Sequence, residues 1–529
     1  MRCLLVLVAA SSLWACSVEE PITGRDRQAL GHRRDLEARP IGRFVHGAFD
    51  ADGGVAEIIA FDAPGARALV VNGQHRAIDV LDLADPSSPA LRYVFDVAPF
   101  GPDVQSVAVH EGIAAAAIRG PETTDPGLVV FFRIDDGEVL DAVPTGALPD
   151  MVTFTPDGRF AITADEGEPS DDYAIDPEGS VTVIDLSRGF PASARRATFH
   201  RFDDDLPAGV RIGHPGSLPS RDLEPEYVAV SSDSCTAWIT LQENDAIAEL
   251  DIRRARIDDL WPLGSADHAR RRRGLDPSDR DEGIQIGRWP VRGLYMPDGI
   301  AAYRAGGDTY LVTANEGDSR ERDDFTDEAR LGSDDVQLDP DAFPDADALR
   351  ADEALGRLKV VTTEGDLDGD GDLDELYSFG ARSFAIWDDR GRQVFDSGDR
   401  LERLVADVQP DAFNASHDDN EVDGRSDDKG PEPESVVVAH LFGRDLAFVA
   451  LERTSAIVVY DVTSPRRPEL VSYISTRDLS VTPGEGDAGD LGPEGLTVVE
   501  PDDSPTGEAL LLVAYEVSGT TRVFELTGR

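Results

Sequence analysis

Residues 366–375 read DLDGDGDLDE, and their types and spacing suit a hard metal ion. Asp366, Asp368 and Asp370 fall at loop positions 1, 3 and 5, Gly371 at 6 and Asp374 at 9. Alternate side chains of a tight loop converge on one point, and glycine permits the turn that wraps an ion. The carbonyl of Asp372 would supply the oxygen at position 7. An oxygen-only donor set favours Ca²⁺. Position 12 is Tyr377, so the bidentate glutamate of an EF-hand is missing.

A second carboxylate pattern is spread over the whole chain. Short strand-like units open on one polar residue and close on another. The opening positions are Glu57, Gln105, Asp150, Glu226, Asp298, Glu434 and Glu494. The closing positions are Asn72, Arg119, Glu166, Glu243, Glu316, Glu452 and Glu516. Eleven of these fourteen are carboxylates. If they meet at one place they cannot all be ionised without cations, either Arg side chains or divalent metals. Ca²⁺ is again the first expectation, with another divalent ion possible at this mouth. Capping of backbone amides in a neighbouring unit would account for the acids equally well. Arg119, Arg320 and Arg453 lie beside the acids and could clamp a phosphoryl group, or simply balance charge.

The elements that must position these residues are strands. Each unit is a hairpin of alternating apolar residues, such as MVTFTPDGRFAITADE after Pro149-Asp150, followed by a third strand such as SVTVIDL (180–186). Seven copies occur, with openings 45 to 136 residues apart. The shorter intervals suit a four-stranded propeller blade, and the longer ones imply inserted loops. The expected fold is all-β: a seven-bladed β-propeller over 41–529 with an acidic insertion at 319–430. A strand around Arg43-Phe44-Val45 should complete the blade begun by the C-terminal strands, closing the ring. Opening and closing residues would then share one mouth of the channel. The 366–374 loop, inside the insertion, resembles the D-x-D-x-D-G-x-x-D hairpin loop of integrin-type propellers.

The 529 residues carry 103 acids and 50 bases, a net charge of −53. That field repels nucleic acid and anionic membrane surfaces. The N-terminus, MRCLLVLVAASSLWACS, has a short basic start and an apolar run too short to span a bilayer. It is expected to be a signal peptide over 1–15. Leu13-Trp14-Ala15-Cys16 resembles a bacterial lipobox, with Cys16 lipidated; an ordinary secretory signal with a chance cysteine is the alternative. Residues 16–40 would be a tether. Ser17 after the cysteine favours the outer membrane or cell surface. Membrane attachment would then be by acyl chains alone. Cys235 would be left without a disulfide partner. No Ser-nucleophile, Walker, dinucleotide or zinc-protease motif occurs.

Longer stretches carry a family resemblance. VVNGQHRAIDVLDLADPSSP, GALPDMVTFTPDGRF, ADEGEPSDDY, TLQENDAIA, YLVTANEGDSR, RSDDKGPEPE and LGPEGL resemble the choice-of-anchor I family. The likeness covers nearly the whole mature chain. It implies a secreted or surface-anchored propeller-like protein, related to mesenchyme-specific cell-surface glycoproteins, with a link to calcium. It carries over no catalytic residues. Two functions are therefore expected to compete. One is a surface calcium-binding or adhesion module with a protein or glycan partner left open. The other is a metal-dependent phosphomonoesterase, alkaline-phosphatase- or phytase-like, with its ions held by the channel-mouth carboxylates.

Overall fold

The computed structural model describes residues 36–528. The expected signal peptide, Cys16 and the tether up to residue 35 lie outside the described residues. Strand occupies 42% and helix 5%, so the chain is all-β.

Among the described residues there are seven four-stranded antiparallel sheets. Their first strands are Ile59–Asp62, Val104–His110, Pro149–Phe154, Val228–Val230, Ile300–Ala305, Pro433–Leu441 and Pro493–Val499. In each sheet the second strand pairs with the first, and the expected third strand pairs with the second. Second and third strands are buried along almost their whole length, as in Arg67–Asn72 and Ala456–Asp461. They are sandwiched on both faces, which is why they read as continuous apolar runs. Outer strands such as Ser193–Thr198 are mostly exposed and carry Arg and Ser.

The sheets follow one another in a circle. Leu69 and Ile78 of the first sheet pack with Val107 and Phe132 of the second. Phe131 of the second packs with Val152 and Ile184 of the third. The third meets the fourth through Ile162 and Ile239. The fourth meets the fifth through Trp238 and Trp387. The fifth meets the sixth through Phe384 and Tyr460. The sixth meets the seventh through Phe448 and Phe524. Val70 and Leu81 then pack with Leu512 and Val523, joining the seventh sheet back to the first. Each sheet thus hides both faces against neighbours, which is the order of a β-propeller.

The ring is closed by a strand from the start of the chain. Leu36–Val45 pairs antiparallel with Thr520–Gly528 as the fourth strand of the last sheet. It includes Arg43, Phe44 and Val45 as expected, but it begins at Leu36. Residues 36–40 are therefore strand rather than tether. Leu36 is buried among Leu446, Phe448 and Leu526, and that burial pulls the strand's start into the sheet.

The insertion contains strands of the ring itself, as the apolar run SFAIWD (383–388) implies. Ser383–Asp388 and Gln393–Asp396 interrupt 319–430 as the outer strands of the fifth sheet. The rest divides in two. One part, with residues from 275–291, forms a lobe with its own core of Leu275, Val291, Leu331, Phe343, Leu358 and Leu376. The other part runs through the helix Arg400–Val408 to residue 432.

Neighbouring first strands come into backbone contact where they open. Gly299 donates its N–H to the Glu434 carbonyl at 3.0 Å. A Cβ on Gly495 would collide with the Glu57 carbonyl across the seam that closes the ring. Gly495→Ala is expected to cost about 1–3 kcal/mol through overpacking, read as a lower urea midpoint. An unchanged midpoint would mean the seam has room to spare.

Candidate metal centre

The opening acids are aimed by a local backbone device. In four sheets the antiparallel register slips at the opening residue: at Gln105, Asp150, Glu434 and Glu494. A β-bulge re-aims the side chain at that point. The residue before the Pro-acid pair has positive φ at Leu148 (45°), Met296 (40°) and Glu432 (50°). Backbone strain at equivalent places in different sheets marks one shared device, and each time it delivers an acid to the mouth.

The acids do converge. Asp298 feels the charges of Glu316 and Asp150. Glu494 feels Glu516, Glu57, Asp298 and Asp150. Glu434 feels Glu452, Glu316, Glu494 and Glu516. Burial is the main cause that lifts all three carboxyls far above the usual range, and the facing acids add to it. The same holds for Glu166, Glu226 and Glu516. Burial, then Asp103 and Asp150, pushes Glu57 up to about 8. Burial and Glu168 push Asp150 up to about 6.

Cations reach one circle but leave the other short. Lys429 Nζ lies 2.7 Å from Glu316 Oε1 and 3.6 Å from Glu432 Oε2. Arg453 Nε lies 3.2 Å from both Glu432 and Glu452. Burial alone would raise Glu432, yet Lys429, Arg425 and Arg453 hold it down at about 2. Arg453 Nη1 donates to His417 Nε2 at 2.6 Å, and His417 Nδ1 lies 2.9 Å from Glu452 Oε1. Lys429, Arg425 and His417 all come from the 397–432 segment, so the insertion brings an ammonium to Glu316, a guanidinium to Glu432 and an imidazole to Glu452. Among the opening acids, Oε2 of Glu226, Glu434 and Glu494 is buried without a hydrogen-bond partner. Glu243, 8% exposed, also has an orphaned Oε2. Three opening acids from three sheets and one closing acid thus present bare oxygens, the donor type that suits Ca²⁺ or Mg²⁺.

Two closing positions are shifted by one residue. Tyr515 pairs with Thr520 and Asn72 pairs with Ala77, so the counterpart of Glu516 is Gly73, not Asn72. Asn72 is buried and donates to Asp79 Oδ2 at 2.9 Å instead. The Glu57 carboxylate fills the space over Gly73, 2.6 Å from where a Cβ would stand. Likewise Leu241 pairs with Ala246, which makes Gln242 the counterpart, and its amide donates to Glu316 Oε2 at 3.2 Å. Glu243 stands one residue on and still faces Glu226 and Glu166.

His417 was not distinguishable in the sequence, where nine histidines show no ligand spacing. In the fold one ligand atom each of His417, Glu452 and Glu516 lies within 4.8 Å of the others, and so do Glu316, Glu432 and Glu452. Residues 316 to 516 build these groups, and they meet because the fifth, sixth and seventh sheets pack side by side.

The phosphate-clamp candidates are largely occupied. Arg320 is 5% exposed, donates to Glu224 at 2.5 Å and to the Asp222 carbonyl at 2.7 Å. Arg453 is held by Glu432, Glu452 and His417. Arg119 is the least engaged, 3.9 Å from Asp103.

The 366–374 loop stands apart, in the lobe. One oxygen each of Asp366, Asp368 and Asp374 lies within 4.8 Å of the others. Asp366 accepts from the N–H of Gly369 (2.7 Å) and Gly371 (3.0 Å), and both glycines have positive φ. Asp374 accepts from Leu367 N–H at 2.8 Å. Asp370 is outside that trio and accepts from Asp372 N–H at 3.3 Å. Leu373 is buried beneath the loop, and Asp370, outside the trio, stands close enough to raise the Asp368 carboxyl by its charge.

No helix among the described residues is long and apolar enough to cross a membrane. In solved structures the chain is similar to a chain of Kuenenia stuttgartiensis hydrazine synthase, with 11% identity, TM-score 0.45, and coverage of 91% of this chain and 99% of that one. It is also similar to the Myceliophteria thermophila Cps50 (Swd1) β-propeller domain, with 8% identity, TM-score 0.45, and coverage of 93% and 100%. The circular order of sheets rests on the packing described above, not on these likenesses. Gigasin-3a of Magallana gigas is 35% identical over 194 residues, 34% of this chain and 68% of that protein. The mesenchyme-specific cell surface glycoprotein of Strongylocentrotus purpuratus is 29% identical over 288 residues, 48% of this chain and only 36% of that protein. The model of the choice-of-anchor I domain matches residues 57–465, which holds most of the sheets and all but two of the channel-mouth acids. The chain belongs to the choice-of-anchor I domain family.

Proposed function

We propose that this protein is a surface-associated binding module: a seven-bladed β-propeller, one blade per four-stranded sheet, that holds divalent cations at its axial mouth. The observation that carries the reading is the set of bare buried oxygens on Glu226, Glu434, Glu494 and Glu243. Buried carboxylate oxygens are normally hydrogen-bonded or neutralised. Here the protein's own cations go to Glu316, Glu432 and Glu452, and a hard cation would neutralise the rest. Ca²⁺ is the preferred ion, and the 366–374 loop is a second, exposed site for it. A place on the cell surface accords with the printed name of the Strongylocentrotus purpuratus relative. Attachment through a lipidated Cys16 and an outer-membrane location belong to the same proposal, as does adhesion to a protein or glycan.

The test is thermal unfolding of purified protein in chelator and in millimolar Ca²⁺. A ligand that binds only the native state at a hundred times its Kd adds about 2.7 kcal/mol, so the melting temperature should rise by several degrees. Asp368→Ala should remove part of that gain and leave the rest. No gain for the wild type would end the cation reading, and an undiminished gain in Asp368→Ala would remove the loop from it. A chromogenic phosphate ester should not be turned over. Turnover that chelator abolishes would replace the binding reading with a hydrolase.

A further inference from the structure

A third carboxylate cluster shares no residue with the axial mouth or the 366–374 loop. Asp276, Asp281 and Asp423 are 0%, 8% and 5% exposed, and one oxygen of each lies within 4.8 Å of the others. Asp276 and Asp281 belong to the segment before the fifth sheet; Asp423 belongs to the segment after it. Asp276 Oδ2 accepts the Gln285 N–H, while its Oδ1 is buried with no hydrogen-bond partner. Asp281 Oδ1 accepts from Gly283 N–H at 3.3 Å, and Asp423 Oδ1 accepts from the Ser426 hydroxyl.

The local charge does not balance. Glu402 adds a fourth carboxylate, with its Oε2 accepting from Asp276 N–H at 3.3 Å. The guanidinium at hand is Arg382, which donates to Glu402 Oε1 at 2.8 Å and to the carbonyls of Asp276, Ser426 and Asp428. Its hydrogen-bonding capacity goes to Glu402 and the backbone, not to the three aspartates. Three buried acids with one bare oxygen, no sulfur and no imidazole form a hard-ion donor set.

We propose that Asp276, Asp281 and Asp423 form a buried structural site for one divalent cation, Ca²⁺ or Mg²⁺ by donor chemistry. The ion would clip the segment before the fifth sheet to the segment after it. That second segment carries Lys429 to Glu316 and Arg425 to Glu432, so the clip would hold those counter-charges in place.

The experiment counts ions on the full chain after chelation, reloading with Ca²⁺ and gel filtration. Asp281→Asn and Asp423→Asn should each carry one ion fewer per chain than the wild type. Glu494→Gln, at the axial mouth, should keep this ion. The proposal therefore survives or falls separately from the axial reading. Equal ion counts in wild type and both aspartate variants would overturn it. Should the variants fail to fold, wild-type crystals grown with Mn²⁺ decide: an anomalous peak among the three aspartates supports the site, and its absence refutes it.

Discussion

Lys429→Met is expected to lower the stability of the folded chain by about 3–5 kcal/mol, the range for removing one member of a buried ion pair. Lys429 Nζ sits 2.7 Å from Glu316, 3.4 Å from Asp318 and 3.6 Å from Glu432. Burial opposes its charge, yet Glu316, Asp318 and Glu432 hold its ammonium well above the usual lysine range. Glu432 would keep Arg425 and Arg453, but Glu316 would keep only the Gln242 amide. Glu316 is already pushed up to about 7 by burial despite Lys429, so without it the carboxylate would have to bind a proton or a metal ion. The loss should therefore be largest in chelator at pH 8 and smaller at pH 5. Adding Glu316→Gln to Lys429→Met should recover part of it, because a double-mutant cycle exposes a shared interaction. Urea unfolding measures both. A loss below 1 kcal/mol, or a double variant no better than the single, would mean that water already screens the pair.

The largest cation-dependent effect is expected from neutralising the orphaned opening acids together, as Glu226→Gln, Glu434→Gln and Glu494→Gln. All three carboxyls sit far above their usual range because of burial and facing acids. A carboxyl raised in the folded state favours folding below its unfolded pKa, and that contribution is lost as pH rises through the folded value. Asp150 at about 6, Glu243 and Glu316 at about 7 and Glu57 at about 8 place the loss between about pH 5 and 8. In chelator the wild type should thus melt at a lower temperature at pH 8 than at pH 5. Ca²⁺ competes with protons for the same oxygens, so its stabilisation should grow across that window. The triple variant should melt higher than the wild type in chelator at pH 8, since buried like charges are gone. It should also lose most of the Ca²⁺ gain, keeping the shares of the exposed loop and of the buried aspartate trio. A triple variant with the full gain would place the ions elsewhere, and a wild type whose melting temperature in chelator is flat with pH would mean the mouth is hydrated.

Much of this architecture could be read along the chain because it is local. Alternating apolar runs ending in Gly-Asp turns specify hairpins, and Pro-acid pairs mark where each first strand opens. The loop at 366–374 is legible for the same reason: its aspartates lie within nine residues, and Gly369 and Gly371 take the positive φ that the winding needs. A one-residue error survived at Asn72 and Glu243. Both are polar and both stand at a strand end, and only the register against Ala77 and Ala246 shows that Gly73 and Gln242 hold the equivalent places.

The sequence alone therefore determined the strand repeat, the acids that line one mouth and the wound aspartate loop, since each depends on residues close in the chain. The tertiary structure decided which acids keep a bare oxygen and which receive Lys429, Arg453 or His417, because that depends on where a long insertion lands. It also decided that Asp276, Asp281 and Asp423 share one buried spot, across a gap in the chain that contains a whole sheet. Charge balance in a buried place is a property of three-dimensional neighbours, and no spacing rule along a chain reports it.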